Sequence, residues 1–261
     1  MPERYELEFE DDFEGEVLDP SRWIPYYLPH WSTRERSAAR YALGDSCLRL
    51  LIEEDQQAWC PEYDGETRVS SLQTGLFAGP VGSGIGQHRF NPEAIVREAQ
   101  ENGRLYLPHY GLIELRAKAI ADPRNMVALW LIGYEEEPEQ SAEICVCEIF
   151  GRDVGVDSAA VGMGVHPFGD PQIVDEFAAE ALPIDACEFH VYAADWTPER
   201  IVFSVDREPV KTVEQSPAYP MQLMLNVYEF SPGGDYPKEF VVDYVRGYAT
   251  TKRRTIVRRS V

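Results

Sequence analysis

The sequence has no apolar run of eighteen residues, the length a spanning helix needs, so no membrane-crossing helix is expected. It is poor in basic residues: 24 Lys and Arg stand against 45 Asp and Glu, a net charge of −21. Phosphate backbones would be repelled, which argues against nucleic acid as a partner and disfavours polyanionic sugars. Five cysteines, at 47, 60, 145, 147 and 187, are an odd and scattered set that makes no disulfide framework. Cys145 and Cys147 are too close along a strand to bridge, and no Cys or His pair has zinc-finger spacing. They read as small buried hydrophobes, which fits a reducing compartment. The first residues are charged and lack the basic start and apolar stretch of a secretory signal. The expectation is a cytoplasmic monomer, or a secreted one whose leader has been removed. The glycine-rich stretch 82–86 is no phosphate loop, because no Lys-Ser/Thr follows it. The basic stretch at 252–254 and 258–259 reads as an exposed tail.

What is present is β-sheet pattern. Hydrophobic residues make up 44% of 261, enough for a sizeable core, and residues 1–261 read as one large β domain. Runs at 6–10, 46–53, 70–77, 111–120, 127–133, 143–149, 159–165, 189–195, 200–205, 221–227 and 240–248 have strand character, and turn residues separate them. That is the pattern of an all-β sandwich of two antiparallel sheets. One short helix is expected at 91–100, where Asn91 and Pro92 make a cap-like start and Gly103 follows.

The chemistry concentrates at 141–151. There Glu143 and Glu148 sit in a short apolar run with Ile144, Val146, Ile149 and Phe150. Side chains alternate on a strand, so a five-residue offset puts the two glutamates on opposite faces. One β-bulge near Val146 and Cys147 returns Glu148 to the face of Glu143 and Cys145. Two carboxyls leaning together across such a strand can reach the roughly 5–5.5 Å separation of a retaining glycosidase.

The pattern resembles the active-site strand E-x-D-x-x-E of glycoside hydrolase family 16, the laminarinase and lichenase group, with Cys145 where the family has aspartate. Other stretches are similar to the family in the same order. Phe13, Gly15, Leu18, Asp19 and Trp23 fit F-x-G-x-x-L-D-x-x-x-W; Tyr110, Gly111, Glu114 and Arg116 fit Y-G-x-x-E-x-R; Ala128 and Trp130 fit A-x-W. Phe189, His190, Tyr192, Trp196, Thr197 and Pro198 fit F-H-x-Y-x-x-x-W-T-P, and residues 242–248 look like V-D-Y-V-R-V-Y.

The resemblance implies a concanavalin-like jelly roll with a concave substrate cleft. It also implies a retaining endo-β-glucanase that cleaves β-1,3 or mixed β-1,3/1,4 linkages by double displacement and needs no cofactor for catalysis. Glu143 becomes the nucleophile and Glu148 the general acid and base. Cys145, a weaker donor than the family's aspartate, leaves a glycan-binding relative of low or no activity as the alternative. His166 falls where relatives carry a cleft histidine, although it is equally a strand-end residue before Pro167. For sugar contacts the resemblance offers Trp130 at the cleft floor, and Trp31, which either stacks on a sugar or anchors its own loop. Arg116 and Glu114 either touch hydroxyls or pair with other side chains. Asn226 and Tyr228 lie in the L-N-x-x-x-G-G region, where the family's small residues are replaced. The carbonyl of Gly44 and the carboxylate of Asp243 are the implied ligands of a structural Ca2+, with Asp243 equally readable as a hydrogen-bond acceptor.

Overall fold

The alternation in the sequence becomes two stacked sheets in a computed structural model that describes residues 5–251; the basic tail lies outside the described residues. The strands in chain order are β1 (Tyr5–Asp11), β2 (Arg40–Gly44), β3 (Cys47–Ile52), β4 (Arg68–Gln73), β5 (Gly75–Leu76), β6 (Gly103–Arg104), β7 (Gly111–Lys118) and β8 (Asn125–Gly133). They continue as β9 (Glu143–Phe150), β10 (Ala159–His166), β11 (Glu176–Leu182), β12 (His190–Trp196), β13 (Ile201–Val205), β14 (Glu208–Val213), β15 (Met221–Glu229) and β16 (Lys238–Thr250). An eight-stranded sheet runs β14-β13-β12-β7-β16-β3-β2, with β1 also on β16, and a six-stranded sheet runs β11-β10-β9-β8-β15-β4. β5 and β6 form a separate small ribbon. The result is a jelly-roll sandwich with every pairing antiparallel.

The core lies between the sheets. From β7, Ile113, Leu115 and Ala117 enter it, and they meet Val127, Leu129 and Leu131 of β8 and Ile144, Val146, Cys147 and Ile149 of β9. A second apolar cluster covers part of the outer face of the six-stranded sheet. There Tyr27, Leu28, Trp31, Trp59, Ala94 and Val96 from the long loops pack on Ala128, Met224 and Tyr228. β8 and β15 are therefore buried on both faces, which accounts for the apolar run from Met126 to Ile132 in β8, while β15 also buries Gln222, Asn226 and Glu229.

Two expectations change. Residues 91–100 form no helix: Asn91 Oδ1 accepts the Glu93 N–H in a local turn. Ala94 N–H closes the turn on Asn91 O at 3.0 Å, and the later donors go elsewhere, Val96 N–H to Ser83 O at 2.7 Å and Arg97 N–H to His30 O at 2.8 Å. Ala94 and Val96 alternate inward, so the segment is extended and sewn onto its neighbours. β2, β11 and β14, none of them expected, lie at sheet edges. Among the described residues no helix is long and apolar enough to cross a membrane.

Candidate active site

The site begins with the irregularity in β9. On one side β9 pairs Cys147 with Leu129 and Cys145 with Trp130, so Val146 is the extra residue. On the other side Glu148 faces Gly162 and Cys145 faces Gly164. Six residues of β9 thus match five of each neighbour: Glu143 pairs with Ile132 and His166, and Glu148 with Ala128 and Gly162. Val146 and Cys147 both enter the core, while Cys145 belongs to the outer cluster. Glu143, Cys145 and Glu148 accordingly share the outer face, as the bulge expectation requires.

Two further polar groups reach this face from loops. Gln87 is fully buried: its amide donates to Gln222 Oε1 at 2.7 Å, and its Oε1 accepts the Phe77 N–H at 2.7 Å. Its carbonyl accepts from Trp31 Nε1 at 2.8 Å and lies 3.1 Å from His30 Nε2. So riveted, the chain places His88 in the cleft, with Nδ1 3.9 Å from Glu143 Oε2. The His88 N–H donates to Glu135 at 2.6 Å, and both residues hold positive φ, +49° and +60°. Gly86 lets this loop approach: a Cβ there would lie 2.6 Å from the His30 ring. A cavity of about 430 Å3 opens beside the pair, lined by His88, Arg89, Glu135, Ser141 and Phe168 among others. Neither His88 nor Glu135 was singled out from sequence. The glycine-rich stretch ahead of His88 was the available signal, and it marks close packing.

Burial governs the electrostatics. It raises Glu143 well above the usual carboxylate range, and the charge of Glu148 adds to the effect. Glu148 is also raised by burial, though His166, the Trp130 indole and Arg152 oppose the shift. Two such neighbours resist joint ionisation, each charge disfavouring the other. Burial pushes Glu135 up to about 8 and His88 down to about 4. The Cys145 thiol, also raised well above its usual value by burial, turns away to Gly162 O at 3.7 Å.

The structure gathers Glu143, Cys145, Glu148, His166 and Trp130 at one place. His166 pairs through Nδ1 with Asp175 at 3.0 Å and packs on Phe177. Trp130 is 6% exposed, and its ring is 6.1 Å from that of His88. Asn226 lies on the same sheet but is fully buried, its amide donating to Met224 O at 3.2 Å. Tyr228 is packed against Trp130 and hydrogen-bonded to the Tyr27 hydroxyl. At three places the alternative to a ligand contact is what the structure has. Trp31 has no exposed surface and serves as a loop anchor, so no sugar can stack on it. Arg116 and Glu114 lie on β7 of the other sheet, and because Ile113, Leu115 and Ala117 take the core side, both face away from the cleft. Arg116 is ion-paired with Asp243 and lies over the Phe189 ring. Of the implied calcium ligands, Gly44 O accepts from Arg49 at 3.1 Å and Asp243 is ion-paired with Arg116, so a guanidinium sits on each. Among the described residues no group of three or more His, Cys, Asp or Glu could hold a metal ion.

The sequence model for glycosyl hydrolases family 16 matches residues 106–246, more than half of the chain. The chain belongs to this family. Solved structures similar to this family 16 protein include a GlcNAcα1-4Gal-releasing endo-β-galactosidase from Clostridium perfringens. It is 28% identical over 95% of this chain and 64% of that one, with a TM-score of 0.83. The present chain therefore spans just under two thirds of that structure's length. A laminarinase from Flavobacterium sp. UMI-01 is 19% identical, covering 94% and 100% of the two chains with a TM-score of 0.64. The catalytic domain of an endo-1,3-β-glucanase from Thermotoga petrophila RKU-1 is 17% identical, covering 95% and 99% with a TM-score of 0.66. These two share the fold. No curated protein matches the chain.

Proposed function

We propose that this family 16 protein is a retaining, endo-acting glycosidase in which Glu143 is the nucleophile and Glu148 the acid and base. The observation that carries the reading is the bulge in β9, which sets both carboxyls on one face of the sheet inside a family of glycosidases. A Glu143 oxygen attacks the anomeric carbon while Glu148 delivers its proton to the departing glycosidic oxygen, and a glycosyl ester forms. Esterification removes the Glu143 charge, the pKa of Glu148 falls, and Glu148 takes a proton from water. That water attacks the same carbon and frees Glu143, with net retention.

For substrate we favour a β-linked galactoside polymer, such as a glycan carrying GlcNAcα1-4Gal ends, over the β-1,3 or mixed β-1,3/1,4-glucan that the motifs imply. The support is the higher likeness to the endo-β-galactosidase, 28% identity and TM-score 0.83, against 17–20% and 0.61–0.68 for the glucanases. A second reading, a glycan-binding protein with little turnover, draws on Cys145. Its thiol is spent on Gly162 O and gives Glu143 no hydrogen bond.

Reducing-sugar release should be measured on laminarin, lichenan, agarose, carrageenan and a mucin glycan ending in GlcNAcα1-4Gal, beside Glu143→Gln. Release from one polymer that vanishes in the variant, with the anomeric configuration of the product retained by NMR, supports the enzyme. Binding without release in both proteins would overturn it in favour of the second reading. Inversion of configuration would overturn the nucleophile assignment.

A further inference from the structure

Glu143 is the group in this site whose charge has least support. It is 3% exposed, it faces the repulsion of Glu148, and no donor among the described residues hydrogen-bonds its carboxylate. Glu148, by contrast, has His166, Trp130 and Arg152 to favour its ionised form. Ionisation is therefore easier at Glu148 than at Glu143, the reverse of what the proposed reaction asks.

One unused donor stands beside Glu143. His88 Nδ1 is buried, has no hydrogen-bond partner, and lies 3.9 Å from Glu143 Oε2. Its ring sits between Trp130, 6.1 Å away, and Phe168, 4.7 Å away edge-on. The other titratable groups around it are engaged elsewhere. His166 faces Asp175, His30 faces the Gln87 carbonyl, and Glu135 takes the His88 backbone N–H. Burial keeps the imidazole neutral near pH 7, so it has one N–H to give and one lone pair.

We propose that His88 is a positioning residue for Glu143: its Nδ1–H donates to Oε2 of the ionised carboxylate and fixes negative charge on the nucleophile. The inference rests on Glu143 being that nucleophile. A movement of about 1 Å brings the two atoms to ordinary N–H···O distance. The attraction of a buried carboxylate for an unpartnered donor drives that movement. His88 thereby does for Glu143 what the Cys145 thiol, turned to Gly162, does not.

The test compares wild type with His88→Asn, His88→Gln and His88→Leu. Asn tolerates positive φ and puts an amide N–H near the Nδ1 position, Gln places its amide farther out, and Leu keeps the site dry without a donor. The Glu143 carboxyl is titrated by carbon NMR on glutamate-labelled protein and assigned by its loss in Glu143→Gln. Leu and Gln are expected to raise its midpoint by one pH unit or more, about tenfold in the ionisation constant. Asn restores most of that shift, and the acidic limb of kcat/KM moves in parallel while KM changes little. Equal midpoints in wild type, Asn and Gln would overturn the proposal even if the Leu variant does not fold. The carboxyl titration needs no turnover, so it separates the two failures. A wild type that hydrolyses nothing sinks the glycosidase reading, while the midpoints still decide whether His88 holds the charge.

Discussion

Glu135→Gln isolates the cost of burying a carboxyl in this cleft. Glu135 is 8% exposed and its pKa is pushed from about 4.5 to about 8, chiefly by burial. Between those values the native state keeps a proton that the unfolded chain has lost. This contribution therefore falls as pH rises through the window, by about 1.4 kcal/mol per pH unit at its steepest. From pH 5 to pH 8 it amounts to about 3 kcal/mol, or roughly 6 °C in Tm for a chain of this size. His88 and His30, depressed by burial to about 4 and about 3, act in the opposite sense. The native state leaves them neutral where the unfolded chain would protonate them, so their part is lost as pH falls below about 6.5. Glutamine removes only the Glu135 part, since its carbonyl can still accept the His88 N–H, which now reaches Glu135 at 2.6 Å. Urea melts of wild type and Glu135→Gln at half-unit steps from pH 5 to 8 read the difference directly. The variant should gain on wild type steadily with pH. Parallel profiles, with no gain by pH 8, would refute the assignment of a protonated, buried Glu135.

Three other outcomes follow from the geometry. Gly86→Ala brings a Cβ to 2.6 Å from the His30 ring and 3.0 Å from Trp31. It should cost about 1–3 kcal/mol by thermal melt and lower activity, because His88 is two residues on; an unchanged melt would contradict the close approach. Arg116→Ala breaks a half-exposed ion pair on the far sheet, so it should cost at most about 1 kcal/mol and leave kcat/KM as in wild type; a tenfold loss would place Arg116 back at the substrate. Deleting Val146 removes the bulge residue and turns Glu148 toward the core, which should give unfolded protein or folded protein without turnover; normal activity would show that the bulge does not set the pair.

The inner strands and the bulge were legible because burial writes them into the sequence. Val146 and Cys147 must both be apolar once both enter the core. The glutamates on either side then fix where the reversal of face occurs. β2, β11 and β14 left no such record, since an edge strand is half exposed and admits the Tyr, Glu, Lys and Pro that interior strands exclude. Trp31 shows a further limit: an aromatic in a polar loop looks the same whether it meets a sugar or its own backbone. Its indole turned out to serve Gln87. Arg116 stays undecided between sugar and ion pair in the sequence, because alternation tells which residues share a face but not which sheet that face belongs to. His88 and Glu135 were invisible for a different reason. Each depends on a left-handed backbone in a loop, and the meeting of His88 with Glu143 and of Glu135 with the His88 N–H is set by tertiary packing alone.

The apolar cluster outside the six-stranded sheet has a consequence for how specificity can change in this protein. Tyr27, Trp31, Trp59, Ala94 and Val96 come from three separate loops, yet they solidify with Tyr228 and Trp130 into one small core. One flank of the cleft is thus built as masonry. Exchanging a single brick leaves a void or a clash, with the penalties of any interior substitution. A change of glycan preference on that flank would have to replace the three loops as a unit. The side bounded by Glu135, Ser141 and Phe168, where the cavity opens, can be retouched one residue at a time.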